Sequence, residues 1–101
     1  MALVKVASAG DLKPNQMKPV DAEGKPVLLV NLNGTFYAIG NKCTHSGCRL
    51  SDGTLKGDTV QCGCHGSIFD AKTGNVVKGP AKNAEPKYEV KMENDQVMVS
   101  T

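Results

Sequence analysis

Two short stretches hold all four cysteines and both histidines of this chain: Cys43-Thr44-His45-Ser46-Gly47-Cys48 and Cys62-Gly63-Cys64-His65-Gly66-Ser67. Thiolates and imidazoles are the ligands of transition metals, so the chemistry to expect is metal binding or thiol redox. In an extended loop, residues two apart project to the same side, which lets Cys43 and His45 face one point. Cys62 and His65 are three apart and meet across a turn, and Gly63 and Gly66 allow the backbone to curl tightly there. Sixteen residues lie between His45 and Cys62.

Three simpler chemistries fit this pattern less well. Structural zinc takes cysteines spaced two to four apart in each knuckle, whereas Cys43 and His45 enclose one residue and Cys64 and His65 are adjacent. A framework of disulfides alone admits three connectivities for four cysteines and leaves both histidines without a role. A dithiol redox site of the thioredoxin kind needs two spacer residues, and Cys62-Gly63-Cys64 has one. A 2Fe–2S centre with two thiolates on one iron and two imidazoles on the other accounts for both loops.

Both loops resemble the Rieske iron–sulfur family, in the form found in Rieske subunits of cytochrome bc-type complexes. The resemblance implies that Cys43 and Cys62 are thiolate ligands and that His45 and His65 are imidazole ligands. It further implies a disulfide between Cys48 and Cys64 bridging the two loops, and a third loop at Gly79-Pro80-Ala81 that covers the cluster from one side. On this basis the cluster-binding region spans about residues 41–81 of a single domain, 1–101. Two positions depart from the respiratory pattern. Ser46 follows the first histidine where many members have Leu, and Phe69 stands where high-potential members have Tyr. Ser67 is kept, and its hydroxyl is placed to donate a hydrogen bond toward a bridging sulfide. One tuning bond kept and one lost implies a potential between the extremes.

The remaining composition is ordinary. The formal charge is +2, from 12 basic and 10 acidic residues, too balanced for a nucleic-acid partner. Lys78, Lys82, Lys87 and Lys91 read as a solvated face. The most apolar stretch, Val27 to Leu32, is far short of the roughly 20 residues that cross a bilayer. Met1-Ala2-Leu3-Val4-Lys5 lacks the charged-then-apolar order of a signal peptide. These features lead us to expect a soluble, cytoplasmic monomer with no membrane span. A disulfide is unusual in that compartment, although a bridge shielded between two loops is protected from exchange.

Short strands carry the rest of the chain. Leu3 to Ala7, Val27 to Asn31, Thr35 to Ile39, Thr59 to Gln61, Ser67 to Asp70, Asn75 to Val77, Tyr88 to Met92 and Gln96 to Ser100 have strand patterning. Leu32-Asn33-Gly34 is a hairpin signal. Glu93-Asn94-Asp95 joins a terminal hairpin, and Asp11-Leu12-Lys13-Pro14 has the form of one helical turn capped by Asp11. Eleven glycines and five prolines among such strands predict an all-β fold, a small antiparallel sandwich or barrel, with a cluster-binding subdomain of two loops. Val90, Met92 and Met98 alternate with polar residues and read as core rather than as ligands. Phe36 and Tyr37 read as packing.

The sequence therefore predicts a Rieske-type 2Fe–2S electron carrier that passes single electrons between protein partners docking near His45 and His65, with no catalytic site of its own. Two other roles share the motif. One is a ferredoxin component or small subunit of an oxygenase or nitrite reductase-like system, although oxygenase ferredoxins usually lack the Cys48/Cys64 pair. The other is an anchorless subunit of a quinol- or oxyanion-oxidising complex.

Overall fold

The computed structural model describes residues 3–42, 48–63, 66–79 and 84–100. Ten strands follow in order: β1 (Leu3–Ser8), β2 (Gln16–Ala22), β3 (Lys25–Leu32), β4 (Thr35–Gly40), β5 (Thr54–Lys56), β6 (Thr59–Gln61), β7 (Ile68–Asp70), β8 (Val76–Lys78), β9 (Lys87–Glu93) and β10 (Gln96–Ser100). They form two antiparallel sheets, ordered β1-β10-β9-β4-β3-β2 and β5-β6-β7-β8. The edge strands of the larger sheet, β1 and β2, approach each other, so this sheet curls into a nearly closed barrel. The all-β expectation holds, and the smaller sheet is an excursion between β4 and β9.

β3 explains why both sheets belong to one body. Its run Val27-Leu28-Leu29-Val30 is buried on both faces. Period-two alternation sends Val27 and Leu29 into the barrel interior with Ala7, Ala38, Val97 and Val99. Leu28, Val30 and Leu32 point the other way and pack with Ile39, Leu50, Val60, Cys62, Phe69 and Ala71. The second group is the core between the barrel and the smaller sheet. At roughly 1.5–3 kcal/mol for each large apolar side chain fully buried, this layer holds the smaller sheet in place.

The Asn33-Gly34 turn forms as expected, with φ of 54° and 92° joining β3 to β4. The terminal hairpin also forms, with Asn94 and Asp95 at φ 50° and 62°. Strand β2 has no counterpart among the expected strands. It contains Pro19, which is tolerated because β2 pairs only with β3 and lies at an edge.

Two local expectations fail. The helical turn lies at Ala9–Asp11 rather than after Asp11. Asp11 closes it from behind, its carboxylate accepting the Ser8 N–H at 3.0 Å, while Leu12 is buried. Met92 and Met98 are not core. Met98 faces away from the buried Val97 and Val99, opposite Lys91. Met92 shares the inward face but sits one pair from the β9–β10 turn and remains 45% exposed. Phe36 and Tyr37 do pack, one against each core.

Candidate metal centre

Strand β4 ends at Gly40, and the chain reaches the first cysteine–histidine loop through Asn41 and Lys42. Asn41 is 3% exposed and uses every polar group it has. Its N–H donates to the Pro26 carbonyl at 3.1 Å, and its carbonyl accepts from the Leu50 N–H at 2.7 Å. Its side-chain Oδ1 accepts from the Ser51 N–H at 2.8 Å, and Nδ2 donates to Ser51 Oγ at 3.2 Å. Lys42 then pairs with Arg49 in an antiparallel bridge. The two ends of residues 43–48 are thus pinned together and tied to β3. Nothing in the spacing of cysteines and histidines points to Asn41; the signal available was a polar residue directly after an apolar strand.

The second loop is a tight hairpin. β6 and β7 pair with Gln61 opposite Ile68 and Val60 opposite Phe69. The Cys62 N–H donates to the Ser67 carbonyl at 2.7 Å, and the Gly66 N–H donates to the Cys62 carbonyl at 3.1 Å. Gly66 takes φ 78°, a left-handed conformation that glycine adopts without penalty. Gly63 has no such φ, so only one of the two expected glycines is needed for its backbone conformation. Alternation along the hairpin puts Val60, Cys62, Ser67 and Phe69 on one buried face. Cys62 is in no disulfide and packs in the core between the sheets, directly across from Ser67. Phe69 is core and shares that packed layer with Cys62.

The two loops are brought together at their bases. The chain leaves the first loop through a 3-10 turn at Leu50–Asp52, and Leu50 is buried in the layer that holds Cys62. Gly53 then presses on the second hairpin. A Cβ on Gly53 would collide with the Gln61 carbonyl oxygen and come 3.2 Å from the Gly63 nitrogen. Residues 52–53 and 61–63 are in backbone contact, because the β5–β6 hairpin, which pairs Thr54 with Gln61, continues past its last strand pair.

Of the expected site residues, Cys48, Cys62, Ser67, Phe69 and Gly79 are described. Cys43, His45, Cys64, His65 and Pro80 lie outside the described residues. Cys48 is half-buried against the same core and already has a bonding partner. Gly79 is exposed and directly follows β8, whose Lys78 pairs with Ile68 beside the second loop. The donor chemistry suits an iron–sulfur group: a buried cysteine sulfur that is in no disulfide, a serine across from it, and two loop bases locked together. When bound, such a group supplies exchange of one electron at a time.

The model of the Rieske [2Fe-2S] domain family matches residues 2–92, and the chain belongs to that family. It is 37% identical to the ferredoxin component of biphenyl 2,3-dioxygenase from Rhodococcus jostii (strain RHA1), over 98% of this chain and 92% of that one. Its fold superposes on the ferredoxin of carbazole 1,9a-dioxygenase from Nocardioides aromaticivorans IC177 with a TM-score of 0.94, at 27% identity, covering 99% and 98% of the two chains. A chain in the complex of reduced oxygenase and oxidized ferredoxin in carbazole 1,9a-dioxygenase matches with a TM-score of 0.91, at 32% identity, over 97% of this chain and 92% of that one. The cofactor is accordingly a Rieske-type 2Fe–2S cluster, and the protein is an electron carrier of the Rieske type. No helix among the described residues is long and apolar enough to cross a membrane.

Proposed function

We propose that this chain is the ferredoxin of an oxygenase system, passing single electrons to a terminal oxygenase. The observation that carries the reading is identity that runs nearly end to end with a ferredoxin component of a dioxygenase. The Cys48/Cys64 pair argued for the respiratory branch instead, but it involves two positions against similarity spread over the whole chain. In this reading Cys43 and Cys62 hold one iron and His45 and His65 the other. Cys48 and Cys64 form a bridge between the loops; the partner already engaged by Cys48 supports this. The cluster-binding region is about 41–81, and Gly79-Pro80 covers it.

The chain's own residues act by position. Cys62 is held on the packed face by β6 and β7, and Ser67 stands opposite to donate a hydrogen bond. Asn41 and Gly53 keep the two loop bases from moving when charge changes, which keeps reorganisation small. The redox partner docks around His45, His65 and the Gly79-Pro80 loop, and its binding is weak so that release is fast. The protein works as a cytoplasmic, soluble monomer with no catalytic site of its own.

Rapid mixing tests the reading. Reduced protein should hand one electron per chain to the terminal component of a biphenyl 2,3-dioxygenase, and its potential should lie toward the low end of the Rieske range of about −150 to +300 mV. A high potential with rapid oxidation of a quinol, and no transfer to the oxygenase, would replace this reading with the quinol-oxidising one.

A further inference from the structure

We propose that the end of the molecule around the loop bases is a cationic docking surface for an acidic redox protein, with Lys42 and Arg49 at its centre and Val77 and Lys78 at its margin. The proposal rests on the electron-carrier reading and adds the chemistry of the partner.

Three observations carry it. Lys42 and Arg49 are directly opposite each other across the bridge that closes residues 43–48, and both are exposed. Like charges in this arrangement repel. Among the described residues the ion pairs are Lys72 with Asp58 and Lys91 with Glu93, so neither member of the facing pair has a carboxylate within bridging distance. Asp21 borders the same shallow depression as Arg49, but its carboxylate accepts the Gly24 N–H at 2.6 Å. A repulsive pair kept at the mouth of a cluster loop is relieved by negative charge supplied from outside.

The second observation is a β-bulge. Ile68 pairs with Lys78 and Phe69 with Val76, so Val77 is the extra residue on β8. The bulge turns Val77 outward, where it is 57% exposed, one residue before Lys78 and two before the Gly79-Pro80 loop. Bulges of this kind re-aim side chains next to functional sites. The third observation is the balance of charge. Lys42, Arg49 and Lys78 lie at this end; the acids near them are Asp52, in the turn beside the second hairpin, Asp21, whose carboxylate is engaged by the Gly24 N–H, and Glu85, which is buried beside Gly40. An apolar side chain beside exposed cations fits a partner with an acidic rim. It also predicts association that is fast at low salt and slows as ionic strength rises.

Voltammetry of the iron-loaded protein tests this on gold electrodes coated with carboxylate-terminated or amine-terminated monolayers, which stand in for acidic and basic partners. At low ionic strength the electron-exchange rate should be at least about tenfold higher on the carboxylate surface, and salt near 0.5 M should erase the difference. Lys42→Glu/Arg49→Glu should cut the carboxylate rate about tenfold. Lys5→Glu/Lys13→Glu, which lowers the net charge equally, should leave it within about twofold. Lys13 sits by Leu12, whose carbonyl accepts from Asn31, roughly 15 Å along β3 from Pro26 and the loop base. If the glutamate pair fails to load iron, Lys42→Gln/Arg49→Gln gives the same test and should show a smaller loss. Equal rates on both surfaces, or equal losses from the central and remote pairs, would overturn the docking proposal and leave the electron carrier intact. Absence of a reversible one-electron wave on either surface would overturn the carrier reading itself.

Discussion

Asn41 and Ser51 hold each other twice, through the Ser51 N–H to Asn41 Oδ1 at 2.8 Å and Asn41 Nδ2 to Ser51 Oγ at 3.2 Å. One residue precedes the first cysteine–histidine loop and the other follows it, so the pair acts as a clasp on the loop base. The clasp is buried on the Asn41 side, where a lost partner is not replaced readily by water.

Asn41→Ala removes the acceptor of the Ser51 N–H. Leaving such a group unpaired costs about 1–3 kcal/mol, and thermal unfolding of the iron-loaded protein should register a loss of that size. Absorbance decay in chelator should be faster. Asn41→Asp keeps the acceptor and should recover part of both. Unchanged unfolding and unchanged decay in the alanine variant would mean that the clasp contributes nothing.

Gly53→Ala drives a Cβ into the Gln61 carbonyl, and the two loop bases must part. Overpacking of this kind costs about 1–3 kcal/mol. The variant should lose iron per chain on purification while its far-UV circular dichroism stays β-rich. Gly10→Ala, with open space around it, is the control and should load normally. Full iron content in the Gly53 variant would show that contact between the bases is not needed to hold the cluster.

Ser67→Ala should lower the reduction potential by tens of millivolts. A hydrogen bond to sulfur favours the more negative, reduced form, and for one electron a difference of 1.4 kcal/mol corresponds to about 59 mV. Phe69→Tyr brings a hydroxyl onto the buried face shared with Cys62 and should raise the potential at some cost in stability. Voltammetry reads both. A serine variant with the parental potential would remove hydrogen bonding from the account of tuning.

Alkylation of the native protein without reductant, followed by peptide mass spectrometry, should find Cys48 joined to Cys64. Closing a loop of this size contributes about 3 kcal/mol on the chain-entropy view, so Cys48→Ser should shorten the lifetime of the cluster in chelator. Free alkylation of both thiols in iron-loaded protein would contradict the bridge.

The hairpins were legible in the sequence because their signals are local. Asn33-Gly34 and Asn94-Asp95 supply the positive φ values that tight turns need, and β6 and β10 begin and end where alternation predicts. β2 was not legible: its polar, proline-containing sequence makes sense only at an edge against β3. Met92 and Met98 misled for a related reason. Alternation tells which residues share a face, and it does not tell which face is covered or where a hairpin runs out into solvent.

The sequence by itself determined the family and the all-β class and offered the candidate donors, because residue spacing and turn chemistry are properties of neighbouring residues. Only the tertiary structure decided what holds the donors still. Leu28 and Val30 belong to one core and Val27 and Leu29 to another because β3 is sandwiched between the barrel interior and the smaller sheet. Asn41 matters through Ser51, and Gly53 through Gln61 and Gly63. The first contact closes the span of the cysteine–histidine loop and the second extends the β5–β6 hairpin, and neither carries a periodic mark. They arise when packing brings two backbones close enough that a missing side chain, or an amide turned inward, is what fits.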